Sequence, residues 1–282
     1  MTILVTGATG TIGRHLTDNL IAAGETVRAL SRKPATSALP DGVDTVAADL
    51  TDPATLTRAV FDGVDKVFVL AVDGGIEDFV TAAVQNGVQH FVLLSSMAAS
   101  SQYPRNAGTV SHRHHRAAGQ AISSRTDEWT MLRPGSFATN LLSWAWPIRS
   151  GAPIRAPYIH SAQDPIHEND IADVAAAVLI GHGHAGKIYP LTGPQSLTKI
   201  EQVAAIGAGI GRELELVEIS PDEFRSDMAD FITEDLIAML LTYWSDTVAA
   251  PDPVLPGVTQ LTGHRGRTLE QWARDHRAEF EA

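Results

Sequence analysis

The sequence predicts an α/β fold, a doubly wound parallel sheet carrying a small C-terminal α+β cap. Three observations predict it. Short, almost uninterrupted apolar runs alternate with helix-period segments as far as Pro134. A glycine-rich turn joins the first such run to the first helix. Beyond Pro134 the alternation breaks down into a stretch rich in aromatics, prolines and glycines. Strands that are apolar throughout are buried on both faces, which requires a parallel sheet covered by helices on each side.

Taken in order, "TILVT" (2–6) is a β-branched run and a buried strand. Residues 11–24 place Ile12, Leu16, Leu20 and Ile21 at helical spacing and stop at Gly24. Strands follow at 26–30 and 43–50, then a helix over 52–61 with proline in its first turn. "KVFVLAV" (66–72) is a strand, 76–87 a helix stopped by Asn-Gly, and "HFVLLSS" (90–96) a strand. A helix over about 109–124 leads to the strand 128–134. Past it, 169–181 reads as a helix capped by Asn169 or Asp170, "KIYPLTG" as a strand, 197–211 as a helix and 213–220 as an edge strand. Ser220 and Thr233 cap two further helices, and "LEQWARDHRAEF" is an amphipathic helix. Residues 1–150 are expected to form the core. Residues 151–282 are expected to form mostly the cap, with segments returning to the core.

The chain has 282 residues, 21 basic against 33 acidic, for a net charge of −12. Such a surface repels phosphate backbones, so no nucleic-acid partner is expected. With no cysteine there is neither disulfide nor thiolate chemistry. Met1 runs directly into a strand-like segment without a basic leader, and no apolar run approaches bilayer length. A cytoplasmic protein, monomer or homodimer, with no membrane partner, is the expectation.

The strongest motif is "VTGATGTIG". Gly7 permits the tight turn off the strand, Gly10 lets a diphosphate approach the backbone, and Gly13 lets the helix pack close to the sheet. Thr9, Thr11 and Ile12 complete the loop, and the free N–H groups of the helix start favour an anion. This is a Rossmann-type dinucleotide site. The second strand ends in "ALSRKP", with Arg32 and Lys33 where a site for the unphosphorylated ribose would want a carboxylate, so NADP(H) is favoured. The fold places Asp49 and Leu50 at the adenine edge, and Leu70, Ala71 and Val72 beside the diphosphate and ribose.

The GxxGxxG spacing resembles the short-chain dehydrogenase/reductase superfamily in its extended and atypical branches. "VRALSRKP", "GVDTVAADLTD", "GVQHFVLLSS", "MLRPGSFATNLL", "PIHENDIADVAAAVL" and "IYPLTGPQSLT" resemble NmrA-like atypical members, close to the NAD(P)H:quinone oxidoreductase type. The resemblance implies the fold and the cofactor. It leaves the reaction open, since such proteins include quinone and enone reductases and redox sensors. In the parent superfamily a Ser, a Tyr and a Lys carry the chemistry, the last two as YxxxK. Counting back from "TMLRPG", that slot falls on His112 and Arg116, inside "SHRHHR". Arginine cannot cycle protons, whereas His112 or the neighbouring His115 could donate one near neutral pH. Ser96 stands near the expected serine position, with Ser95 beside it. No metal site is expected in the histidine cluster.

"RPGSFATN" should cross above the nicotinamide, offering Pro134, Gly135 and Phe137. Trp144 and Trp146, with Phe224, Met228 and Tyr243 from the cap, supply an aromatic cleft that suits a hydrophobic, aromatic small molecule better than a sugar or phosphate ester. His167 and Asp170 could hydrogen-bond near it. The favoured function is NADPH-dependent hydride transfer to a quinone, enone or other hydrophobic carbonyl. A cofactor-binding sensor without turnover, and a cyclase or isomerase on the same fold, stay open.

Overall fold

The computed structural model describes residues 1–33, 39–40 and 42–281. Its strands are β1 (Thr2–Thr6), β2 (Thr26–Ser31), β3 (Asp44–Ala47), β4 (Lys66–Leu70), β5 (His90–Leu94), β6 (Trp129–Pro134), β7 (Ile154–Ala156), β8 (Ala162–Gln163), β9 (Lys187–Leu191), β10 (Leu197–Thr198) and β11 (Leu216–Glu218). Seven of them form one sheet in the order β3-β2-β1-β4-β5-β6-β9, parallel throughout. The order reverses direction between β1 and β4, and the crevice at the strand ends there is where doubly wound sheets bind ligands. The predicted edge strand at 213–220 shortens to β11, which pairs parallel with β7 in a separate ribbon.

The helices are α1 (Thr11–Ala22), α2 (Arg58–Phe61), α3 (Ile76–Gln85), α4 (Val110–Ser123), α5 (Ala145–Ser150), α6 (Glu168–Ile180), α7 (Lys199–Ile210), α8 (Pro221–Met228), α9 (Glu234–Ala249), α10 (Gly257–Thr262), α11 (Leu269–Asp275) and α12 (Arg277–Phe280). Because strand side chains alternate, each sheet face has its own core. Ile3, Val5, Val92 and Leu132 pack with Leu16 and Leu20 of α1 and with Ile171 and Ala175 of α6. Leu4, Phe91, Leu93 and Met131 pack with Phe79 of α3 and Ile122 of α4. A third core, around Trp272 and Phe280, ties α11 and α12 to α5 and α7. Ile21 falls off the buried stripe of α1 and is 41% exposed. No helix among the described residues is long and apolar enough to cross a membrane.

Three local expectations are corrected. The helix foreseen over 52–61 is a 3-10 turn, Pro53–Thr55, followed by the short α2. The Thr55 hydroxyl bonds back to the carbonyls of Asp49 and Asp52 at 3.1 and 2.7 Å, holding the chain in a turn instead. β3 stops at Ala47 because the Asp49 carboxylate accepts from the Thr51 N–H and hydroxyl, at 2.9 and 2.7 Å. The cap of α6 is neither Asn169 nor Asp170. His167 Nδ1 accepts from the Asn169 N–H at 3.1 Å, and the buried Asp170 instead takes the Arg267 N–H at 2.7 Å together with its guanidinium.

Candidate functional site

At the β1–β4 switch point the turn after β1 opens a cleft of ≈ 330 Å³ lined by Gly7, Gly10, Thr11, Ile12, Gly13, Leu70, Phe137, Thr139, Asn140 and Glu168. A larger hollow of ≈ 510 Å³ runs along α7 and residues 211–214. It takes no residue from a strand end of the main sheet, whereas the smaller cleft sits at the turn after β1 and the end of β4. Gly7 sits at φ +64°, open to glycine and strained for other residues. A Cβ on Gly13 would lie 2.1 Å from the Gly7 carbonyl oxygen. Gly10 heads α1 with no side-chain cap and no acid in the first turn, which leaves the helix start bare for an anion. These residues fit a dinucleotide diphosphate. Thr9 is exposed on the turn, and its carbonyl accepts from Arg14 Nε at 2.9 Å.

The other predicted cofactor residues flank this cleft unequally. Arg32 and Lys33 are exposed just past β2, and the charge of Arg32 reaches Asp49. Asp49 sits below the usual carboxylate range, first because of the Thr51 N–H and hydroxyl. The Leu50 side chain is buried in the core on the α3 side. Ala71 and Val72 pack against the same core, and Leu70 enters the cleft. Pro134 is buried at the end of β6, and the Gly135 N–H donates to the Leu191 carbonyl at 2.9 Å.

The predicted catalytic residues come apart. Ser96 caps the 3-10 turn Met97–Ala99 by accepting from the Ala98 N–H at 3.1 Å, whereas the buried Ser95 hydroxyl has no partner among the described residues. On α4, His112 Nε2 and His115 Nδ1 are buried without a partner among the described residues, and Arg116 is exposed. Burial, then the charges of His114 and Arg133, push His115 down to about 4, so it is neutral at pH 7 and no proton donor. Arg133, read from the sequence only as part of a strand, emerges half-buried with its Nε unpartnered.

The substrate side is also redistributed. Trp146 is 70% exposed and does not line the cleft at the turn after β1, and Trp144 packs on the third core. The Phe224 ring meets Trp244 at 5.1 Å, and the buried Lys199 ammonium lies 3.5 Å from the Trp244 centroid while donating to the Pro157 carbonyl at 2.6 Å. Burial brings Lys199 down to about 7. Met228 is half-buried near the end of α8. The Tyr243 hydroxyl is spent on Asp252, which also takes Arg105 Nη2 at 2.6 Å, and Arg105 sits over the Tyr103 and Tyr243 rings at 4.6 and 5.2 Å. Tyr243 is thus part of a polar lock between the cap and the β5–α4 loop.

Behind Gly135 lies Asp164, fully buried, with one oxygen accepting from the Ser136 N–H at 3.3 Å and the other unpartnered. Burial, then Asp252, raise its carboxyl well above the usual range. The folded state therefore holds a proton that the unfolded chain releases near pH 4, and stability falls as pH rises from there through the raised folded value. Asp164→Asn removes this term. Its melting temperature, measured from pH 4 to 8, should gain on the wild type as pH rises, with no gain at the acid end. A difference independent of pH would refute the buried-acid reading.

The family model described as NAD(P)H-binding matches residues 7–180. The chain is 36% identical over 283 residues to the (4-alkanoyl-5-oxo-2,5-dihydrofuran-3-yl)methyl phosphate reductase of Streptomyces griseus, spanning 99% of each. It is 34% identical over 303 residues to the NAD(P)H azoreductase of Xenophilus azovorans, again spanning 99% of each. Among solved structures, the NADPH-dependent quinone oxidoreductase of Escherichia coli in complex with NADPH superposes with a TM-score of 0.80 at 21% identity, over 97% of this chain and 99% of that one.

Proposed function

The chain belongs to the NAD(P)H-binding family, and we propose that it is an NADPH-dependent reductase passing hydride to a flat, conjugated acceptor of the quinone, enone or azo class. One observation carries the reading: the bare-amide cradle of Gly7, Gly10 and Gly13 opens onto strand ends where several buried polar atoms lack partners. Relatives named as reductases of a dihydrofuranone phosphate and of azo compounds support the acceptor class. In each of these acceptors the reduced product spreads its charge through conjugation, so little acid help is needed.

A bound dinucleotide supplies hydride at its nicotinamide C4. The chain's task is to orient it. Thr9, Thr11 and Ile12 with the three glycines hold the diphosphate, and Arg32 and Lys33 meet the 2′-phosphate. Asp49 and the Leu50 main chain border the adenine, and Leu70, Ala71 and Val72 border the ribose. Pro134, Gly135, Phe137 and Ser95 hold the nicotinamide plane, so that the acceptor can sit about 3–3.5 Å away. His112 presents Nε2 as the hydrogen-bond partner for the acceptor oxygen or nitrogen, and Ser95 backs it. The accompanying proton comes from His112 or water.

The test is NADPH and NADH oxidation with a panel of quinones, azo dyes and enones, in wild type and in Arg32→Ala. Wild type should consume NADPH with at least one class. Arg32→Ala should raise the KM for NADPH by about tenfold while leaving that for NADH within about twofold, because the guanidinium fork matches a phosphate and has nothing to grip on a hydroxyl. Cofactor binding without consumption across the panel overturns the reductase reading. Equal losses for both nucleotides overturn the 2′-phosphate assignment.

A further inference from the structure

Positive charge collects at one end of the sheet, where among the described residues Arg133 has no acidic partner. Phe91 and Leu93 of β5 belong to the core on the α4 side, so Ser95, two residues on, faces the same way. Met131 of β6 belongs to that core too, and Arg133 follows it by the same step. The Ser95 N–H donates to the Leu132 carbonyl at 2.8 Å, which sets Ser95 next to Arg133. Gly119 of α4 lies over Met131, its virtual Cβ 3.1 Å from the thioether methyl. One turn back along α4 comes His115, whose ring feels the charge of Arg133, and nearly another turn back comes His112.

Ser95 Oγ, His112 Nε2, His115 Nδ1 and Arg133 Nε are all buried without a partner among the described residues. Burial, then the charge of a second cation, Arg116, push the Arg133 guanidinium down, and among the described residues Arg133 forms no ion pair. The nearby acid Asp73 is spent on His114 Nδ1 at 2.6 Å. A half-buried guanidinium beside another arginine and a neutral imidazole is costly unless an anion joins it. A ribose hydroxyl would fill one donor and leave the charge uncompensated.

The cofactor's own anions cannot reach this place. Its diphosphate belongs at β1 and its 2′-phosphate beyond β2. The β5–β6 end lies two to three strand spacings of about 4.8 Å from β1, in the opposite direction. We propose that Arg133, backed by Arg116 and flanked by His115, seats a phosphate monoester group carried by the acceptor. The planar fork of Arg133 matches two phosphate oxygens, and the neutral His115 imidazole supplies a further hydrogen bond. The acceptor is then amphiphilic, a conjugated head over the nicotinamide with an anionic tail under α4. This proposal departs from the sequence-based preference against a phosphate ester. The proposal rests on the reductase reading for the identity of its ligand.

The test uses one enone in two forms, a free alcohol and its phosphate monoester. Each is titrated calorimetrically into NADP⁺-loaded protein and assayed with NADPH. The phosphate ester should bind at least about tenfold more tightly, with an affinity that falls as salt rises. Arg133→Met should erase that advantage, and Arg133→Lys, which keeps the charge and loses the fork, should retain part of it. Equal binding of the two forms overturns the proposal, as does an advantage that survives in a folded Arg133→Met protein. So does tighter binding of the matching carboxylate ester than of the phosphate. Equal turnover of both forms with no phosphate preference leaves the reductase reading standing and removes the phosphate seat. Arg133-dependent phosphate binding without any NADPH oxidation keeps the seat and removes the reductase reading.

Discussion

Gly13→Ala is expected to reduce NADPH affinity by more than about a hundredfold, the loss of a phosphate-gripping set of main-chain donors. The added Cβ would stand 2.1 Å from the Gly7 oxygen, 2.7 Å from its carbonyl carbon and 2.8 Å from Ala8 Cα. All three are main chain, so no side chain can swing aside. Either α1 lifts from the sheet or the turn after β1 opens, and each moves the amides that face the diphosphate. Lifting α1 also loosens Leu16 and Leu20 from α6, so an overpacking cost of about 1–3 kcal/mol should accompany the binding loss. Gly10→Ala grades the effect, because its nearest clash is 3.3 Å. Gly24→Ala is the control. Its φ of +82° strains alanine, but nothing lies within 4 Å, so stability should fall while cofactor affinity holds. Calorimetry with NADPH and thermal melts check the series. An affinity for Gly13→Ala within about threefold of wild type would show that the turn does not hold the diphosphate.

The glycine turn was legible because its meaning is local. The strand, turn and helix around Gly7 and Gly13 are contiguous in sequence, and the steric demand on each glycine comes from its immediate neighbours. The alternation of strands and helices was legible for a similar reason, since apolar runs and helix periods repeat along the chain, whereas the strand order β3-β2-β1-β4-β5-β6-β9 depends on long-range pairing and was not. The site beyond the cofactor was less so. Arg133 reads as a polar interruption in "TMLRPG", and only the β5–β6 register and the approach of α4 reveal that its Nε meets no partner among the described residues. Tyr243 and Trp146 looked alike as aromatic supply, yet one is bound to Asp252 and the other is 70% exposed. Nothing in helical spacing separates these outcomes: Tyr243 is fixed by Asp252, 9 residues on, and Asp252 in turn by Arg105, 147 residues before it. Ser95 and Ser96 differ by a single step along the chain. One side chain caps a turn while its neighbour points inward unpaired, and pleat and local turn geometry decide between them.

Trp272→Ala is expected to cost about 3–5 kcal/mol, the range for emptying a buried aromatic site, and to weaken NADPH binding as well. Trp272 is fully buried, 4.8 Å from the His276 ring and 5.9 Å from that of Phe280, against Val203, Ile206 and Ile210 of α7. Its indole N–H donates to Glu168 Oε2 at 3.1 Å, and Glu168 lines the cofactor cleft beside Phe137 and Asn140. Burial pushes the Glu168 carboxyl up, but the bond from His276, its own backbone N–H and the neighbouring His167 and His276 charges more than offset this and leave it lowered, ionised at neutral pH. Removing the indole therefore takes one of two side-chain donors from a buried carboxylate at the floor of the cleft, in addition to leaving a void. Trp272→Phe separates the two effects. It keeps most of the volume and loses only the donor, so it should cost about 1–3 kcal/mol, the range for an unmet buried acceptor. For a chain of this size the alanine variant should melt on the order of 10 °C lower. If both variants bind NADPH as wild type does, the C-terminal helices stabilise the cap alone and Glu168 does not couple them to the cleft.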